Sequence, residues 1–141
     1  MRKKKLRIIL DTNLWISFLL LSKRTTGLEK LFFEKSISVI FSQELLDEFI
    51  EVARRPKLKK YFKLTDLDAL LSLINLHAEF ISVKSDIDIC RDKKDNFLLS
   101  LAMDSKANYL LTGDKDLLEI KLIGRTKILT ITQFLTETIS N

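Results

Sequence analysis

"RIILDTNLWISFLL", residues 7–20, sets a carboxylate between two apolar runs. Residues 7–10 end in three consecutive aliphatics, the pattern of a strand buried on both faces rather than half-buried. "NLWISFLLLS", residues 13–22, then fits a helix. Asp11, followed by Thr12 and Asn13, falls at the junction. Ligands of an open parallel sheet bind beyond the carboxyl ends of its strands. The role of Asp11 therefore depends on what else the chain brings to that end.

The alternation continues downstream. "TTGLEKLFFEK", 25–35, fits a short helix with Leu28, Leu31 and Phe32 on one face, and "SVIF", 38–41, reads as a strand. Ser42 is a good N-cap for "QELLDEFIEVARR", which stops near Pro56. "TDLDALLSLINLHAEF", 65–80, is amphipathic and capped by Thr65 or Asp66, and "FISV", 80–83, is a short strand. "DNFLLSLAMDSKA", 95–107, reads as a helix, "YLLT", 109–112, as a strand, "KILTI", 127–131, as the last strand and "TQFLTETI" as a closing helix. This β-α-β-α order with aliphatic strands implies an α/β protein whose mostly parallel sheet is covered by helices on both faces. No repeat or boundary divides residues 1–141, so a single domain is expected; "RPKLKKYFK" is the one candidate hinge or arm.

Composition excludes several classes. With 46% hydrophobic residues the chain can bury a core, and 3 Gly with 1 Pro argue against a linker or low-complexity protein. No apolar run reaches the roughly 18 residues that cross a membrane. The basic start and apolar middle of the N-terminus look like a secretion signal, but Asp11 and Asn13 interrupt the run and no small-residue cleavage site follows. The lone Cys90 excludes an internal disulfide, fits a reducing cytoplasm and is expected to be buried and inert. The net charge of +5 is uneven: "RKKK" opens the chain, "ARRPKLKKYFK" is central, and acids gather in "SDIDICRDKKD". Basic surface around an acidic site suits a polyanion that must meet metal ions.

The acids converge by strand direction. Asp11 follows the first strand, Asp114 follows "YLLTG", and Asp95 opens a helix with Asp92 three residues earlier. On the 43–55 helix the apolar face is Leu45, Leu46, Phe49, Ile50, Val52 and Ala53, and Glu48 lies at its edge beside Val52. Singly, each acid has another use: Asp11 and Asp95 as helix caps, Asp114 and Asp116 as turn residues, Glu48 and Asp92 as solvated charges. Jointly, they repel one another unless cations intervene, and hard oxygen ligands suit Mg²⁺ or Mn²⁺ rather than zinc. Other chemistries lack their parts. The only histidine is His77, and there is no phosphate-binding glycine loop, dinucleotide fingerprint or G-x-S-x-G elbow. Trp15 and the nine Phe residues fit core packing better than a base-stacking platform.

These residues make the chain resemble a PIN-domain nuclease. The matching pieces are "ILDTN" at 9–13, "SQELLDEFIEVARRPKL" at 42–58, "RDKKDNFLLSLAMDSKANYLLTGDKDLL" at 91–118 and the closing "ILTITQFL". The 42–58 segment is similar to the group described as toxins of toxin–antitoxin pairs. The resemblance implies a three-layer α/β/α sandwich and a Mg²⁺- or Mn²⁺-dependent endoribonuclease. It carries the acidic quartet onto Asp11, Glu48, Asp95 and Asp114 as metal ligands and catalytic residues. Asn13, Thr112, Asp92 and Asp116 fall on supporting positions. It also implies a cognate antitoxin, a homodimer and a cytoplasmic location. Arg54, Arg55, Lys57, Lys59 and Lys60 are candidate contacts to the RNA backbone. Two other readings compete: a regulatory module that binds RNA or protein without catalysis, and a 5′-nuclease or phosphatase with a similar acidic site.

Overall fold

The computed structural model describes residues 5–21 and 36–139. The helix expected over 25–35 and the basic residues 2–4 lie outside them. Strand β1 (Leu6–Leu10) enters helix α1 (Thr12–Leu21), and β2 (Ile37–Phe41) enters α2 (Gln43–Ala53). A 3₁₀ turn (Pro56–Leu58) leads to α3 (Leu64–His77) and the two-residue β3 (Glu79–Phe80). A second 3₁₀ turn (Lys93–Asp95) precedes α4 (Asn96–Ser105) and β4 (Tyr109–Leu111). Then come α5 (Lys115–Leu118), β5 (Leu122–Ile123), β6 (Thr126–Leu129) and α6 (Ile131–Ile139).

The strands form one sheet in the order β3-β2-β1-β4-β6-β5. All pairings are parallel except β5 with β6, so the sheet is mostly parallel as expected, flanked by helices. β1 is central: Ile8 pairs with Val39 on one side and Tyr109 on the other. Ile8, Ile9 and Leu10 are all buried, which is why this strand reads as a continuous aliphatic run. Trp15 from α1 is fully buried, its ring 4.9 Å from Phe41 and 6.4 Å from Phe49. The aromatics thus serve the core at this position.

Chain order creates a switch point. From β1 the chain moves outward through β2 to β3, then returns to the other side of β1 as β4. The two connections diverge between the carboxyl ends of β1 and β4, the place where open α/β sheets bind ligands.

Several boundaries differ from the sequence reading. The strand expected over 80–83 is Glu79–Phe80, and residues 81–88 form no strand but alternate half-buried with exposed side chains. α4 pins this stretch: Asn96 Oδ1 accepts the Cys90 N–H, Ser100 Oγ accepts that of Ile87, and Asp104 accepts those of Lys84 and Ser85. Apart from the Ile81 N–H, which reaches the Phe41 carbonyl of β2 at 2.9 Å, these hydrogen bonds go to a helix rather than to a strand. α3 begins after Lys63, not at Thr65 or Asp66; Asp66 instead accepts the Lys63 N–H at 3.0 Å from inside the first turn. The last strand stops at Leu129, because Ile131 already belongs to α6.

Candidate acidic site

Asp11 leaves the end of β1 with its backbone N–H on the Leu111 carbonyl, 3.1 Å away, extending the β1–β4 pairing by one residue. Its side chain is buried. Oδ1 accepts the Leu14 N–H at 2.9 Å and so caps α1, while Oδ2 accepts the Thr112 hydroxyl. The Thr112 oxygen in turn accepts the Asp114 N–H at 3.0 Å. Burial pushes the Asp11 carboxyl above its ordinary value, the Thr112 and Leu14 hydrogen bonds oppose this, and the charge of Asp114 adds to it.

Asp92, Asp95 and Asp114 each offer a carboxylate oxygen within 4.8 Å of the others. Two of the three also serve the backbone: Asp92 accepts the Lys94 N–H at 3.1 Å and Asp114 accepts the Asp116 N–H at 2.8 Å. Asp95 is different. It stands at the N-cap position of α4 but makes no capping bond, and its Oδ2 is buried without a hydrogen-bond partner. Burial pushes its pKa up to about 7, helped by a hydrogen bond with Asp114 and by the charges of Asp114, Asp92 and Asp11.

Glu48 is half-buried on α2 and accepts the Thr12 hydroxyl, which ties it to the residue after Asp11. Glu48 and Asp11 lie outside the tight group of three. Asp116 lends its N–H to Asp114, and Asn13 is exposed, its carbonyl accepting the Ser17 hydroxyl at 3.0 Å. Arg54, Arg55, Lys57, Lys59 and Lys60 are exposed at the far end of α2, where the chain leaves it. Arg54 is six residues beyond Glu48, about 9 Å at the helical rise. Lys93 and Lys94 lie between Asp92 and Asp95, and sequence reasoning passed over them although "RDKKD" displays them. Cys90 is buried, and burial pushes its thiol up, away from nucleophilic character.

The donor set fits a divalent cation. It consists of hard carboxylate oxygens, one of them buried with no partner, and their mutual repulsion is what a cation relieves.

An acidic centre at the switch point of a mostly parallel sheet defines the class of protein. The PIN domain family model matches residues 7–116, and the chain belongs to that family. It is 32% identical over 125 residues to an uncharacterised protein of Methanocaldococcus jannaschii, covering 86% of this chain and 79% of that one. Its fold is similar to the crystal structure of VapBC2 from Rickettsia felis bound to a DNA fragment from their promoter. The TM-score is 0.54 at 18% identity, over 86% of this chain and 96% of that one.

Proposed function

We propose that this chain is a metal-dependent endoribonuclease acting as the toxin of a toxin–antitoxin pair, with Mg²⁺ or Mn²⁺ held by Asp11, Glu48, Asp95 and Asp114. The observation that carries the reading is the buried, unpartnered Oδ2 of Asp95 within a group of carboxylates at the sheet's switch point. Such a group is costly to assemble unless it serves a cation. When bound, the cation supplies Lewis acidity, drawing charge from a phosphodiester and acidifying the attacking water.

The chain's own residues prepare the site. Thr112 holds Asp11 in one orientation, and Thr12 does the same for Glu48. Asp92 and Asp114 fix the turns that carry their neighbours. Asp116 supports Asp114, and Asn13 lies at the exposed rim. Lys93 and Lys94 are placed to meet an RNA phosphate beside the acids. Arg54, Arg55, Lys57, Lys59 and Lys60 hold more distant backbone, so binding weakens with salt. Among the described residues no helix is long and apolar enough to cross a membrane. The fold's likeness to the toxin–antitoxin complex supports a protein antitoxin as partner. A homodimer and a cytoplasmic setting belong to the same reading.

The test is cleavage of labelled single-stranded RNA by the purified protein with Mg²⁺ or Mn²⁺, beside EDTA, Asp11→Asn, flap DNA and a generic phosphoester. RNA cleavage is expected, lost with EDTA and reduced by about a hundredfold or more in Asp11→Asn, a loss in the range of removing one key electrostatic group. Asn keeps the Leu14 cap, so the variant should show an unchanged circular dichroism spectrum. Wild-type rates in that variant would remove Asp11 from the site.

A further inference from the structure

A cavity of about 670 Å³ opens beside the acidic group, between the start of α2, the 81–87 stretch and the turn that carries Lys93 and Lys94. Its volume is that of a small-ligand site, roughly 300–1,000 Å³. One wall is rigid, because Ser85 and Ile87 are tied to Asp104 and Ser100 of α4. Its lining carries both charges: Asp86 and Glu44 face the same space as Lys93 and Lys94. Among the described residues none of these four side chains makes an ion pair or hydrogen bond within the fold. Gln43 adds an amide, and half-buried Phe97 adds an aromatic ring.

A bare phosphate site would not hold two carboxylates, and an apolar groove would not hold two lysines. The combination matches a nucleotide: cations for its phosphate, a ring for its base, and acceptors for the base's N–H groups. Lys93 and Lys94 bridge cavity and acids, since Asp92 and Asp95 flank them directly.

We infer that this cavity is the specificity subsite of the ribonuclease proposed above, on which the inference rests, and that it receives the nucleotide next to the scissile phosphate. Asp86 reads the base edge, Phe97 stacks on its face, and Lys93 and Lys94 bind its phosphate. Guanine is the preferred base, because it alone offers two adjacent N–H donors to one carboxylate.

The test is an amide chemical-shift titration of the ¹⁵N-labelled full chain in EDTA, with GMP, AMP, CMP, UMP and inorganic phosphate as separate probes. GMP is expected to bind most tightly and to move the amides of Gln43, Ser85–Ile87 and Phe97. Asp86→Ala should weaken GMP about tenfold and leave UMP nearly unchanged, whereas Lys93→Ala with Lys94→Ala should weaken all four nucleotides alike. Asp86 is exposed and makes no hydrogen bond or ion pair among the described residues, so its replacement spares the fold. GMP binding no better than UMP, shifts reproduced by phosphate alone, or shifts confined to other surfaces would overturn the subsite. Cleavage separates the two claims. A chain that binds GMP here but never cuts RNA keeps the subsite and loses the nuclease. A chain that cuts RNA with no base preference, indifferent to Asp86→Ala, does the reverse.

Discussion

Both oxygens of Asp11 are committed, one to the first turn of α1 and one to Thr112 on the neighbouring strand's exit. The helix-cap role and the proposed ligand role therefore coincide, and the cap keeps the carboxylate from rotating. Partners that orient a metal ligand are typically worth 10- to 100-fold in metal affinity. Thr112→Val is expected to weaken Mn²⁺ binding by about that factor while circular dichroism stays unchanged; equal affinity in calorimetry would deny Thr112 an orienting role. Asp95 shows where sequence reasoning stops. As a helix opener it could equally have been a cap. Its backbone (φ −91°, ψ −7°) is helical, because the 3₁₀ turn from Lys93 already curls the chain, and a capping side chain needs an extended residue. That turn is too short to leave a period in the sequence. Lys93 and Lys94 were passed over for another reason: charge counting favoured the denser run at 54–60, and only the fold puts these two lysines on the wall of a cavity.

Elements with a clear period were legible. The aliphatic runs gave β1, β2 and β4, and Ser42 caps α2 with its Oγ on the Leu45 N–H at 3.1 Å. α5 and β5 span only four and two residues, less than any repeat can reveal. The end of β6 was readable and overlooked. Thr130 and Gln133 form a capping box: the Thr130 Oγ1 accepts the Gln133 N–H at 3.1 Å, and the Gln133 Oε1 accepts the Thr130 N–H at 2.9 Å. This T-x-x-Q signature ends the strand and starts α6. Thr130→Ala should cost about 1 kcal/mol, lowering the melting temperature by about 4 °C. A melting temperature within 1 °C of wild type, about a quarter of that shift, would show that α6 does not depend on this cap.

At the scale of the whole molecule, strand order brings acids from distant parts of the chain to one end of the sheet. Sequence direction alone foretold that shared end, but not which acids would touch. Their burial and mutual repulsion have a pH signature. The folded pKa of Asp95, about 7, lies above its ordinary 3.8, so the native state keeps a proton that the unfolded chain has released. Stability from this group is full below pH 3.8 and is lost progressively as pH rises through about 7. Asp11 is shifted in the same direction. The favourable contacts that lower the Asp104 pKa matter only below its ordinary value, outside this window. In EDTA the melting temperature should therefore fall between about pH 4.5 and 7.5, and Asp95→Asn should flatten the fall. Saturating Mn²⁺ should reverse the slope, because cation binding releases protons. A melting temperature that rises with pH in EDTA would mean that the acids are not under mutual strain.

These carboxylates are proposed to form one divalent-cation site. Calorimetric titration of Mn²⁺ into the wild-type protein and into Asp11→Asn at neutral pH tests it most directly. Saturable binding to the wild type is expected, at least about tenfold weaker in the variant. The same isotherm for both proteins, or no Mn²⁺ binding by folded wild type, would contradict it.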